Sequence, residues 1–219
     1  MCYNVYMKTY ALDSKKVFDR LNVLIDNPES ELNYSNEFEL LIAVMLSAQC
    51  TDKRVNMITS RLFQRYKTPS DFANSTIEEV EEYIKSCNYY HNKAKNIINA
   101  CKTIVDKFAG KVPCTHDELV SLPGVGNKTA NVVQAVAFGQ QALPVDTHVM
   151  RVSNRLGVIQ SSNPNRCEVA LKEAFFGYDY VKVHHLLLLF GRYHCTARNP
   201  KCENCVLRDI CVYIKHKEC

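Results

Sequence analysis

Four cysteines fall within seventeen residues, as Cys195-x6-Cys202-x2-Cys205-x5-Cys211. At that density their thiolates can converge on one centre, and soft sulfur selects zinc or an iron–sulfur cluster over hard cations. Spacing alone accepts tetrahedral zinc and a four-iron cube equally. A second constellation, LPGVGNKTA at 122–130, places Gly124, Gly126 and Lys128 at the mouth of the helix NVVQAVAFG. The glycines let a backbone come close to a ligand, and amides at a helix start bind phosphate. Lysine usually sits at the other end of a helix, where the dipole is negative. Lys128 is therefore a solvated surface residue, a partner for something negative, or an amine meant to be neutral. A third stretch, VDTHV at 145–149, puts Asp146 where an N-cap belongs, followed by His148. A histidine there is by default a packed or hydrogen-bonded ring. If the two halves of the chain meet at a cleft, helix starts on both sides would bring Asp146 near Lys128.

The elements that position these residues read as helices throughout. Val17, Phe18, Leu21, Leu24 and Ile25 form one apolar stripe, and Val55, Ile58, Leu62 and Tyr66 another. Phe38, Leu41, Ile42, Met45 and Leu46 lie in a segment so apolar that it predicts a central helix. Thr76-x-x-Glu79 is a capping box ahead of Ile77, Val80 and Ile84. Ala94, Ile97, Ile98, Cys101 and Phe108 run up to Gly110, which suits a C-terminal cap. Thr115-x-x-Glu118 opens a short helix before LPGVG, which makes that motif a helix–hairpin–helix. Gly139 and Gly157 close the helices after Lys128 and Asp146, and later helices cover 166–176 and 179–192. No period-two run between hairpin turns is present, so the expected fold is all-α. Pro/Asn-rich loops near Asn27-Pro28 and Leu143-Pro144 are the candidate boundaries.

Composition fits a globular chain: 47% hydrophobic, 23% charged, with 7 Gly and 7 Pro in 219 residues. No segment has the roughly 18 apolar residues of a membrane helix. The start MCYNVYMKTY carries no export signal, so eleven cysteines point to reduced thiols in a cytoplasmic setting. Net charge is +4. From Arg192 to Lys217 there are six Lys/Arg against two acids, which accounts for that whole excess. The basic character is a C-terminal property and suits an anionic partner.

The three motifs in this order resemble the endonuclease III family of bifunctional DNA glycosylases, within the helix–hairpin–helix glycosylase superfamily. The likeness runs from about Glu31 through ELLIAVMLSAQCTDKRVN, YIKSCNYYHNKAKNII, LPGVGNKTANVV and VDTHVMRV to HHLLLLFGRYHC and the cysteines. It implies a six-helix domain over 30–140. Across a cleft would stand an iron–sulfur domain built from 1–29 and 141–219. It implies a [4Fe–4S] cluster on Cys195, Cys202, Cys205 and Cys211, largely structural and shaping a basic loop. The implied activity is base-excision repair: removal of oxidised pyrimidines, then strand nicking by β-elimination. Lys128 is then the nucleophile that forms a Schiff base, and Asp146 the catalytic carboxylate. The helix dipole and partial burial would favour the free amine of Lys128.

The same resemblance makes Gln49 the residue that fills the hole left by a flipped nucleotide, and His148 a DNA contact with Gly124 and Gly126. In the Asn88-Tyr89-Tyr90-His91 stretch the family pattern is Gly-Leu-Tyr-Asn. Tyr89 is thus an aromatic wedge in place of an aliphatic one, while Asn88 replaces glycine and His91 an amide. The expected partner is double-stranded DNA carrying damaged pyrimidines or abasic sites, bound by a nucleoid-associated monomer with no membrane contact. Two alternatives stand beside this. One is a monofunctional mismatch or adenine glycosylase, whose relatives carry serine or tyrosine at the position of Lys128. The other is a non-catalytic DNA-binding module with a zinc knot.

Overall fold

Every regular element among residues 12–215, which this computed structural model describes, is helical. The all-α expectation holds, and no helix among these residues is long and apolar enough to cross a membrane. MCYNVYMKTY, from which the missing export signal was inferred, lies outside the described residues. The chain divides into two units, residues 30–144 and residues 12–29 with 145–215.

In the unit of 30–144, α2 (Glu37–Ser47) is buried at Phe38 and at every position from Leu40 to Leu46. A helix apolar on all sides has no solvent face, so its neighbours wrap it. α3 (Asp52–Arg65) turns Val55, Ile58 and Leu62 inward. α5 (Ile77–Ile84) opens on the Thr76 capping box, with Glu79 reaching back to the Thr76 amide at 2.8 Å. α6 (Tyr90–Phe108) lays Ala94, Ile97, Ile98, Cys101 and Ile104 against its neighbours. Each such Leu or Ile contributes about 1.5–3 kcal/mol by leaving water. α8 (Asn127–Phe138) packs on α2 and on α7 (His116–Val120).

Two details depart from expectation. The left-handed turn that ends α6 begins at Ala109 (φ 51°), one residue before Gly110 (φ 77°). A short helix, α4 (Pro69–Ala73), stands where no stripe marked one. Its signature is local: Thr68 and Asp71 form a capping box around a proline at the first position.

The other unit holds α1 (Ser14–Leu24), α9 (Thr147–Leu156), α10 (Pro164–Ala174), α11 (Tyr180–Tyr193) and a short C-terminal α12 (Val212–Lys215). α10 starts two residues ahead of the expected 166, because Asn163 caps it and Pro164 fits its first turn. α9 and α11 cross closely at Gly191, where a Cβ would sit 3.0 Å from the Cβ of His148. α1 rests on α11, and Arg20 bonds the Val206 carbonyl at 2.9 Å and pairs with Asp209.

Candidate DNA-binding and cluster sites

Nine of the helices α1–α11 have an N-cap side chain that accepts a backbone N–H. The two without one are α6, which follows Tyr89, and α8, which follows Gly126. Both uncapped starts coincide with residues that the sequence assigns to DNA. Uncapped amides stay available to an outside acceptor.

At the hairpin, Val125 donates to the Leu122 carbonyl at 3.1 Å and closes the turn. Gly124 is required twice over. Its φ is +80°, and a Cβ there would lie 2.7 Å from the Cβ of Asn96. Gly126 is extended and faces open space, so the protein itself would tolerate a side chain there. Lys128 is the second residue of α8 and is exposed. The partial burial expected to favour its free amine is therefore not a feature of the free protein.

Asp146 caps α9. Its Oδ1 accepts the amides of His148 and Val149, each at 2.8 Å, and the side chain is half-buried. His148 Nδ1 lies 3.2 Å from the Arg151 guanidinium, which can act as donor alone, so the neutral ring carries its proton on Nε2. Arg151 also donates to the Gly191 carbonyl at 2.7 Å and the Cys195 carbonyl at 3.1 Å. His148 is thus built into the α9–α11 crossing.

Gln49 and Tyr89 share two properties. Both are exposed, and both hold a left-handed backbone, with φ 54° and 58°. For non-glycine residues that conformation costs on the order of 1–3 kcal/mol and clusters at functional positions. Tyr89 leaves 63% of its surface free. The Asn88 side chain joins the two loops by donating to the Gln49 carbonyl at 2.8 Å. Beneath them lies Lys93, 8% exposed, whose Nζ donates to the carbonyls of Leu46 and Ala48 at 2.7 Å each. The sequence reading missed Lys93. Its one signal is position: it stands four residues before Ile97, on the buried stripe of α6.

The four spaced cysteines line a single cavity with Val152, Leu156, Phe190 and Leu207. No three His, Cys, Asp or Glu among the described residues converge as they would on a lone ion. Sulfurs ringing a cavity suit a polynuclear cluster better than one tetrahedral zinc. Donors face the sulfurs: the Leu207 amide stands 3.4 Å from Cys205 Sγ and Arg155 Nη1 3.3 Å from Cys195 Sγ. His194 Nε2, in the same cavity, is buried without a hydrogen-bond partner. Burial raises the pKa of Cys205 and Cys211, and the neighbouring cysteines push the same way. A metal cluster reverses that by favouring thiolates. The residues fit the group. Arg198, Lys201, Arg208 and Lys215 around it are exposed, as expected of a basic loop. Cys101 is different in kind: buried in the α6 core, its thiol is pushed up to about 12, a packing residue without reactivity.

Residues 42–175 match the family described as HhH-GPD superfamily base excision DNA repair protein. Residues 195–211 match the iron-sulfur binding domain of endonuclease III, a span that begins and ends on the first and last spaced cysteines. Endonuclease III of Bacillus subtilis (strain 168) is 48% identical over 194 residues, covering 88% of this chain and 89% of the relative. Endonuclease III of Escherichia coli (strain K12) is 42% identical over 198 residues, covering 90% and 94%. The solved structure of a trapped endonuclease III–DNA covalent intermediate superimposes with a TM-score of 0.89 at 45% identity, covering 94% of this chain and 97% of that one.

Proposed function

This chain belongs to the endonuclease III family, and we propose that Lys128 is its nucleophile and Asp146 its catalytic carboxylate. The protein is a base-excision repair enzyme, a DNA glycosylase with AP lyase activity that carries a [4Fe–4S] cluster. One observation carries the assignment of Lys128: a primary amine stands exposed at the uncapped mouth of α8, directly after the hairpin.

The amine attacks C1′ of the damaged nucleotide, the C1′–N bond to the base breaks, and the base leaves with its electron pair. Loss of a proton from nitrogen and ring opening of the sugar give the Schiff base. Loss of the C2′ proton then expels the 3′ phosphate and nicks the strand. Asp146 Oδ2 takes no part in the two capping bonds of Oδ1, and it serves to accept a proton and to balance positive charge on the sugar. DNA covering Lys128 removes water from the amine and disfavours its ammonium form.

Gly124 and Gly126 offer backbone amides to phosphate, Gln49 and Tyr89 enter the helix where the nucleotide leaves, and His148 contacts the backbone nearby. Cys195, Cys202, Cys205 and Cys211 hold the cluster, whose part is to fix the fold of the loop around it. We also propose that the two units are the enzyme's two domains, Lys128 belonging to one and Asp146 to the other. The substrate is duplex DNA with oxidised pyrimidines or abasic sites, met by a monomer in the cytoplasm at the nucleoid.

The test is Lys128→Gln. Binding to a duplex with an abasic site should weaken by about 1 kcal/mol, the share of one charge near DNA. Borohydride trapping and nicking should vanish. Covalent trapping by this variant would assign the nucleophile to another amine.

A further inference from the structure

A helix C-terminus leaves its last carbonyls without intrahelical partners. At and just beyond the end of α2 such carbonyls are claimed from the turn between α5 and α6 and from the first turn of α6. Cys87 Sγ donates to the Leu46 carbonyl at 3.3 Å, Lys93 Nζ to Leu46 and Ala48 at 2.7 Å, and Asn88 Nδ2 to Gln49 at 2.8 Å. Lys93 Nζ also reaches Cys87 Sγ at 3.0 Å. From the other side, Arg54 Nη1 donates to the Ser86 carbonyl at 3.2 Å. The lower part of this brace is buried and sets the Lys93 amine at the carbonyl end of α2, where the helix dipole is negative. At the top of it, the Asn88 side chain reaches Gln49 while the Asn88 backbone bonds the Cys50 side chain.

We propose that Asn88 is a positioning residue for base extrusion: its amide ties the left-handed Gln49 turn to the loop of Tyr89, so that both enter the duplex as one preset pair. The inference rests on the roles given above to Gln49 and Tyr89. Neither residue has a glycine's freedom at positive φ, and each is exposed, so packing does not hold the side chains. The Gln49 backbone is held by the turn that the Cys50 amide closes on the Ser47 carbonyl at 3.1 Å and, from outside the turn, by Asn88 on its carbonyl. Orienting the filler before DNA arrives lowers the ordering cost of the extruded state. Without the bond, the Gln49 turn is no longer registered against Tyr89, and the filler and the wedge must be ordered separately when the nucleotide leaves.

The experiment uses the full chain with its cluster in four forms: wild type, Asn88→Ala, Gln49→Ala and the double variant. Fluorescence of 2-aminopurine beside a thymine glycol reports unstacking and needs no chemistry. Single-turnover excision is measured with the same lesion fully paired, and again inside an unpaired bubble. Asn88→Ala should reduce the fluorescence gain and slow excision from the paired duplex about tenfold, while the bubble rate stays within about twofold, because extrusion costs little there. The double variant should be no slower than Gln49→Ala, as expected when one residue acts through the other. Equal losses on paired and bubble substrates, no loss on the paired one, or additive losses in the double variant would each overturn the proposal. If the wild type excises nothing, the assigned chemistry fails, and the fluorescence measurement still decides the role of Asn88.

Discussion

Asp146 Oδ1 accepts the Val149 amide at 2.8 Å and the His148 amide at the same distance, so one carboxylate oxygen carries the whole N-cap of α9. The cap therefore needs a carbonyl-type oxygen and not a charge. In Asp146→Asn the amide oxygen should keep both bonds, and Tm should move by no more than about 4 °C. Base excision should fall by about a hundredfold or more, since a group that accepts a proton has been lost. Full activity in single-turnover assays would leave Asp146 as a cap and nothing else.

The cysteine cavity makes a prediction about composition and another about order of loss. Anaerobically prepared protein should contain iron and sulfide, and elemental analysis finding zinc alone would contradict the cluster. In Cys202→Ala, hydrogen exchange should accelerate first over 195–211, ahead of the helices of 30–144, because metal binding and local folding are coupled.

Acid should weaken the protein through His185. The ring is 4% exposed, and Nδ1 donates to the Val181 carbonyl at 2.9 Å. Burial lowers its pKa below the ordinary 6.5, against weaker opposition from Val181, Glu29 and Asp179. Folded His185 is thus neutral where the unfolded chain has begun to take up a proton. Its contribution is complete above about pH 6.5 and is lost as pH falls towards the lower folded value. His185→Gln should flatten the decline of Tm between about pH 7 and 5. A decline as steep as that of the wild type would place the acid sensitivity elsewhere. Burial lowers the pKa of His194 as well, so part of the slope should remain.

How much of this was legible before the structure depends on where each signal resides. The burial of α2 follows from its unbroken apolar run, and the start of α5 from a four-residue pattern of caps, both short-range. The cysteine spacing was enough for a metal centre and left zinc open; the shape of the cavity favours a cluster. Lys93 was invisible because long charged side chains lie on helix surfaces unless carbonyls from a distant segment receive them. Those carbonyls are 45 and 47 positions away. The left-handed backbones of Gln49 and Tyr89 were hidden for a related reason, since neither residue type announces positive φ. The exposure of Lys128 corrects the expectation of partial burial: a lysine in the first turn of α8 points away from that helix's buried face.

The pairing of α1 with the far end of the chain has a consequence for synthesis. Arg20 waits for Val206 and Asp209, which lie 186 and 189 positions later. Translation at about 5–20 residues per second makes that delay on the order of ten to forty seconds. Until α11 is made, the stripe of Val17 and Leu21 lacks the helix it rests on, while residues 30–144 by then possess all the partners of their own unit. An uncovered amphipathic helix is what chaperones and proteases recognise. A ribosome that stalls before α11 therefore holds a chain whose first helix still exposes its apolar stripe.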